Sequence, residues 1–311
     1  MFCIVAFIVL SVLGIFSASN RKLAGEALDC VLRRVTLRPC NTGFDEKMKA
    51  RLLGVVITRS EKAAIFLNRN FELLSWVFFI TLIASSVWSV RGLYEFYTTG
   101  SCNGLNSSAF CVFDPSGANN QVTTTEGCPV KPAGKVELSL NGVDFSTFPQ
   151  SKASSNDTIV MIGSYHCDYT REVYPVIRAI AEKYQANFYF MNYPVKEQDD
   201  SFTRLSYSIY QIAPDKYWQF NDRMFQGDKN HLDDPAYIDT LLNDLGINPN
   251  AVRFYMSDPR VESAVQTQIH AVDKTGFYGT PTIFINGKAF VGPKPYRVYA
   301  IALKGLFYWL K

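Results

Sequence analysis

The sequence predicts an α/β domain with a helical insertion, carried behind two transmembrane helices. Three observations predict it. Two long apolar runs lie near the N-terminus. Residues 136–311 read strand, helix, strand, then several helices, then strand, strand, helix. The 311-residue composition is 48% hydrophobic, 14% aromatic and 19% charged, which suits one large domain or two ordinary ones. Such a chain is too apolar for disorder, and it lacks the Gly/Pro bias of collagen-like material. A formal net charge of +3 gives no footprint for nucleic acid. Seven cysteines are too few for a disulfide scaffold and odd in number.

The first apolar run, Phe2–Phe16, carries no charge and needs Ser17–Ser19 to reach spanning length. A cleaved signal peptide would want a basic leader, and Met1-Phe2 supplies none. The second run, Phe71–Val90, is long enough alone and places Trp76 and Trp88 towards its ends, as interfacial aromatics are placed. Helices are therefore expected at about 2–19 and 71–90. The stretch 20–70 between them is rich in Lys and Arg, including Arg33, Arg34, Lys47, Lys49 and Arg51. The positive-inside rule puts it in the cytoplasm and the rest of the chain outside. Met48, Leu52, Val56 and Ile57 recur at helical spacing, which fits a helix on the inner leaflet or a small hairpin packed on itself. Cys30 and Cys40 are expected there as reduced, idle thiols. Residues 1–91 thus form a membrane anchor.

Residues 92–135 are rich in Gly, Ser, Asn, Thr and Pro and read as a linker. They hold Cys102, Cys111 and Cys128. On an oxidising side these tend to pair. Cys102 and Cys111 are near enough in sequence to close a small loop, and a thiol is left over unless it finds Cys167. Asn106-Ser107-Ser108 and Asn156-Asp157-Thr158 are glycosylation triplets that arise readily by chance.

The domain, 136–311, begins with an alternating stretch, Val136–Leu140, expected as a strand before an Asn141-Gly142 turn. Thr158–Gly163 is a short apolar run of the buried-strand type. An amphipathic helix follows from about Cys167 to Tyr184, with Pro175 inside it, and then a second buried strand, Asn187–Met191. A strand-helix-strand unit of this length implies a parallel pair with a right-handed crossover. Helices are expected over Ser201–Leu245 and again over Asp258–Lys274, where Asp258-Pro259 supplies a cap and first turn. Thr282–Ile285 reads as a strand, Asn286-Gly287 as a hairpin turn and Ala289–Val291 as its partner. A last helix covers about Tyr296–Leu310.

A strand ending in a small turn, Cys167 at the start of a Pro-containing helix, the insert segment KYWQFNDRMF, Asn192-Tyr193-Pro194 and Gly279-Thr280-Pro281-Thr282 resemble, in this order, the DsbA-like branch of the thioredoxin superfamily. The likeness covers about Val136–Leu310. It implies a thioredoxin-like fold and a Cys-x-x-Cys redox motif. Here that motif is Cys167-Asp168-Tyr169-Thr170, with threonine in place of the second cysteine. It also implies a cis bond before Pro281, with the Thr280 backbone offered to an extended substrate peptide beside Cys167.

At a helix N-terminus, unpaired N–H groups and the dipole favour a thiolate. Such positions lower a cysteine pKa from about 8.5 to roughly 3.5–7.5. Thr170 could donate its hydroxyl to that sulfur, and His166 could assist when protonated, while Asp168 opposes a second negative charge. Candidate catalytic residues are thus Cys167, Thr170 and His166, with Thr280 and Pro281 for substrate binding. Cys102, Cys111 and Cys128 are candidates for a resolving or structural disulfide.

Without the second motif cysteine, three outcomes are open. An outside thiol resolves the adduct, or a linker cysteine does, or the domain only binds polypeptides. The leading expectation is a membrane-anchored extracytoplasmic monothiol oxidoreductase or isomerase acting on protein cysteines. The rival is a non-catalytic binding or scaffold module. Expected partners are protein thiols and disulfides, a membrane redox partner and membrane lipid. No cofactor, metal or nucleic acid is expected.

Overall fold

A computed structural model describes residues 6–11, 15, 17–36, 38, 43–120, 128–129, 137–195 and 199–310. The chain divides into two compact units, 1–90 and 91–311.

In the first unit residues 6–11 are helical. Three helices follow: α1 (Ala18–Val35), α2 (Phe44–Ile57) and α3 (Glu61–Arg69). In α1, Ala24, Ala27 and Cys30 recur every third residue and form one buried face with Ala6 and Leu10. Ser60 caps α3 by accepting from the Ala63 amide. The stretch read as amphipathic around Met48 is α2, which packs on α3. Cys30 is fully buried and bonded in a disulfide, not the idle thiol expected of it. Cys40 lies outside the described residues.

The long helix α4 (Phe71–Thr99) is the one helix among the described residues long and apolar enough to cross a membrane. It runs on past the expected end at Val90. Three of its hydroxyls bond within the helix: Ser75, Thr81 and Ser86 each donate to the carbonyl four residues back, at 2.8 Å. Of the two transmembrane helices expected, the described residues hold one such candidate, α4. Of the earlier span, about 2–19, residues 6–11 are helical, residues 18 and 19 belong to the charged helix α1, and residues 2–5, 12–14 and 16 lie outside the described residues.

In the second unit, residues 100–120 fold as consecutive turns closed by a Cys102–Cys111 disulfide, with Cα atoms 5.3 Å apart. The Asn106 amide bonds the rim of the sheet in both senses: its Nδ2 donates to the Ala289 carbonyl at 3.0 Å, and its Oδ1 accepts from the Val291 N–H at 2.8 Å. This glycosylation triplet is therefore engaged in the fold.

A five-stranded sheet follows. Its strands are β2 (Gln150–Ser151), β3 (Thr158–Gly163), β4 (Asn187–Asn192), β6 (Thr282–Ile285) and β7 (Lys288–Val291), in the order β2-β4-β3-β6-β7. β3 and β4 are parallel, as their crossover helix α5 (Asp168–Lys183) requires, and the other pairings are antiparallel. Two further short strands, β1 (Cys128–Pro129) and β5 (Gly279–Thr280), form a separate antiparallel pair. At the hairpin between β6 and β7, Asn286 and Gly287 both take positive φ, 48° and 82°, which two-residue turns of this type demand.

Strand alternation splits the core into two layers. Ile159, Met161, Phe188, Phe190, Ile283 and Ile285 face α5, α11 (Tyr296–Lys304) and an insert of α6 (Ser201–Ile212), α7 (Tyr217–Gln226), α8 (Pro235–Asp244) and α9 (Pro249–Met256). Val160, Ile162 and Phe284 face the other way, against Ala271 and Val272 of α10 (Pro259–Lys274) and against Phe148 and Phe277. Asp258 caps α10, accepting from the Arg260 amide, with Pro259 in the first turn.

Two expectations differ in detail. Residues 137–140 are not a strand, and Val136 lies outside the described residues. Leu138 and Leu140 do lean on the second core layer, and the Ser139 amide bonds the Thr275 carbonyl of a loop. The alternation thus reports a half-buried segment that pairs with no strand among the described residues. The last helix stops at Lys304, because Gly305 adopts φ 86°. A short 3-10 turn, Tyr308–Leu310, follows it.

Candidate active site

Helix α5 starts where β3 ends, and Cys167 is its N-cap residue, with extended φ and ψ of −87° and 117°. The loop from Ser164 to Cys167 is held on every side. Thr170 Oγ1 accepts from the Ser164 amide at 3.3 Å, and Asn192 Oδ1 at the end of β4 accepts from the Tyr165 amide at 3.0 Å. Tyr165 is fully buried and donates to Asn221 Oδ1 of α7 at 2.5 Å. Burial drives its phenol well above the ordinary tyrosine value. Arg171 reaches from α5 to the carbonyls of Tyr165 (3.0 Å), Met224 (2.9 Å) and Gly227. The insert therefore fixes the loop that aims Cys167.

Gly163, the last residue of β3, has no room for a side chain. A Cβ there would meet Thr170 Cγ2 at 2.5 Å. This contact and the Ser164 bond define what Thr170 does in this state: it packs the strand-to-helix turn. Its hydroxyl oxygen accepts from the backbone amide of Ser164.

The Thr280–Pro281 bond is cis, and the Thr280 carbonyl oxygen lies 3.4 Å from Cys167 Sγ. The fold thus brings residues 167 and 280 together across 113 positions of sequence. Pro281 is anchored from behind, its carbonyl accepting from the Gly292 amide at 2.8 Å. Thr280 is wholly buried. The edge it was expected to offer a substrate is occupied by β1, with Cys128 opposite Thr280 and Pro129 opposite Gly279. Cys167 itself is disulfide-bonded and 1% exposed, so the accessible thiolate expected from its position is not the state seen. Cys102 and Cys111 are bonded to each other.

Two polar neighbours of Cys167 are met by residues far away in sequence. Asp168 is gripped by Lys229 Nζ, 2.6 Å from both carboxylate oxygens. This offsets the negative charge that Asp168 would otherwise set beside the sulfur. His166 Nε2 lies 3.0 Å from Asp233 Oδ1, and its ring packs edge-on to Phe202. That pair borders a cavity of about 120 Å³ lined also by Ser164, Asn192 and Tyr193. The cavity shares Asp199, Phe202 and Asp233 with an open groove of about 400 Å³ walled by Leu205, Leu232, Ile238 and Met256. Sequence reading missed Asn192, Asn221, Arg171 and Lys229 as site supports. Asn192 and Asn221 do stand inside the two segments that carried the family likeness.

Residues 141–304, more than half of the chain, match the model of the DSBA-like thioredoxin domain. The chain belongs to this family. A DsbA-like thioredoxin domain is the fold of thiol–disulfide oxidoreductases that act on protein thiols and disulfides. Similar solved structures include a periplasmic thioredoxin-like protein from Salmonella enterica serovar Typhimurium, at 20% identity and a TM-score of 0.45, covering 52% of this chain and 90% of that one. The thiol-disulfide exchange protein α-DsbA2 from Wolbachia pipientis shows 19% identity and a TM-score of 0.46 over 52% and 88% of the two chains. BdbD from Bacillus subtilis, oxidised, shows 20% and 0.42 over 50% and 89%. Among curated proteins, the Na(+)/H(+) antiporter NhaA 3 of Salinispora tropica is 21% identical over 154 residues, 48% of this chain and 23% of that protein. The uncharacterized protein Rv2286c of Mycobacterium tuberculosis is 36% identical over 67 residues, 22% and 28% respectively. The chain spans about a quarter of the length of the curated relatives it matches.

Proposed function

We propose that this DsbA-like domain exchanges thiols and disulfides of extracytoplasmic proteins through Cys167, anchored to the cell membrane by α4. The observation that carries the reading is the meeting of Cys167, at the N-cap of α5, with the Thr280 carbonyl before a cis proline. A reduced Cys167 faces the unpaired amides of the first helical turn, which favour thiolate. Pairing of Asp168 with Lys229 removes the main local charge opposing it. Thr280 and Pro281 position the substrate disulfide against the sulfur, and His166 with Asp233 borders the entrance. Thr170 serves the turn that aims Cys167. Protein cysteines are the substrates, and a membrane redox partner restores the resting state.

The test uses the full chain in detergent, reduced and then mixed with a cysteine-containing peptide disulfide. A mixed disulfide mapped to Cys167, absent from Cys167→Ser, is the expected result. Iodoacetamide should also alkylate reduced Cys167 faster than free cysteine at pH 7. No adduct on the reduced wild type, together with peptide binding unchanged in Cys167→Ser, would favour the non-catalytic scaffold.

A further inference from the structure

We propose that Cys128 is the resolving cysteine of this site, doing from the linker what the second cysteine of a Cys-x-x-Cys motif does from the helix. The proposal rests on the exchange reading above. Four observations lead to it. Position 170 is threonine, so the motif has no second sulfur. Cys167 is nevertheless disulfide-bonded. Cys102 and Cys111 satisfy each other. The antiparallel pairing of β1 with β5 sets Cys128 opposite Thr280, the residue whose carbonyl lies 3.4 Å from Cys167 Sγ. Residues opposed across antiparallel strands have Cα atoms about 4.5–5.5 Å apart. A cysteine at that register is a short step from residue 167, and disulfides bridge Cα separations of about 4.4–6.8 Å.

The arrangement has a second consequence. β1 takes the backbone edge that an extended substrate would use, so Cys128 and substrate occupy the groove in turn. Reduction of the Cys128–Cys167 bond removes a covalent tie of β1 to the site, and the substrate then competes with the ladder between β1 and β5.

The chemistry balances without an added reagent. In the reduced chain the Cys167 thiolate attacks one sulfur of a substrate disulfide. The substrate S–S bond breaks, one substrate sulfur leaves as thiolate, and the other stays bonded to Cys167. The Cys128 thiolate then attacks Cys167 Sγ, and the second substrate sulfur leaves. The two protons released by the enzyme thiols end on the two substrate thiols. The chain loses two electrons and the substrate gains them. Run backwards, the same steps oxidise a substrate dithiol.

The experiment starts from the untouched full chain in detergent. Free thiols are blocked, and non-reducing peptide mapping should find residues 128 and 167 in one cross-linked peptide. A Cys128 that is alkylated while Cys167 is bonded elsewhere overturns the proposal. Next, reduced wild type, Cys128→Ser, Cys128→Ala and Cys102→Ser/Cys111→Ser are mixed with oxidised glutathione. Counted at the Cys167 site, apart from what re-forming the other disulfides releases, wild type and the double variant should each release two glutathiones through a transient adduct. Both Cys128 variants should release one and retain the other on Cys167. A tethered thiol acts at an effective concentration in the mM range, so against about 10 μM free glutathione the adduct should last roughly 100-fold longer in the Cys128 variants. An adduct on Cys167 that lasts equally long in wild type overturns Cys128 as resolver and leaves exchange at Cys167 standing. No adduct in either Cys128 variant, with no glutathione released by wild type, overturns both.

Discussion

Lys294 shows how one buried charge can govern the pH response of the domain. It is 5% exposed, and its Nζ donates to the Val291 carbonyl at 2.7 Å. Burial holds its pKa down to about 7, from 10.5. Between those values the unfolded chain binds a proton that the folded chain does not, so stability should rise with pH across about 7 to 10.5. Below that window both states are charged and the whole penalty is present. The fall from 10.5 to about 7 caps the penalty at roughly 5 kcal/mol, less about 1 kcal/mol for the bond to Val291 that a variant would lose. Lys294→Met should therefore melt higher than wild type at pH 7, with the gap closing by pH 10. A gap that stays constant with pH would show that Lys294 is charged in the folded chain throughout.

At the scale of elements, the sheet and its crossover were legible because each depends on local patterning. Thr158–Gly163 and Asn187–Asn192 are runs apolar on both faces, and the strands they form are buried on both. Asn286-Gly287 announced its hairpin, and Asp258-Pro259 its helix start. What stayed hidden depends on partners remote in sequence. No local feature of Asp168 reveals Lys229, and nothing in Thr170 reveals that its methyl would collide with a side chain at position 163. The compact fold of residues 100–120 was hidden for a similar reason: turn-rich composition reads the same in a loose linker and in a stapled loop. Its order comes from Cys102–Cys111 and from Asn106 bonded to β7. Closing a loop of this size is worth about 2–3 kcal/mol in the chain-entropy account. Cys102→Ser/Cys111→Ser should therefore speed hydrogen exchange at the Val291 amide, which bonds Asn106, while the amides of β3 keep their protection. Equal protection at Val291 in variant and wild type would show that Asn106 holds the loop without the staple.

At the scale of the whole molecule, two signals bear on which side of a membrane the first unit faces. If α4 spans a membrane as proposed, the positive-inside rule assigns the Lys and Arg residues between 20 and 70 to the cytoplasm. The buried Cys30 disulfide belongs to an oxidising compartment. The second unit also holds its cysteines 102, 111 and 167 in disulfides, which fits the outer side. On the anchoring proposed above, α4 is the span between the Lys- and Arg-rich first unit and the second unit. A bond at Cys30 buried between Ala24, Ala27 and Leu10 is shielded from soluble reductants, so charge rather than sulfur should decide the orientation. The expected result follows from single cysteines introduced at exposed positions of an otherwise cysteine-free full chain. In intact cells, an impermeant maleimide should label Phe254→Cys in the second unit and leave Ile65→Cys in the first unlabelled until the membrane is opened. Labelling of both in intact cells would put the basic unit outside, give Cys30 an ordinary oxidised environment and remove the topological role assigned to its charges.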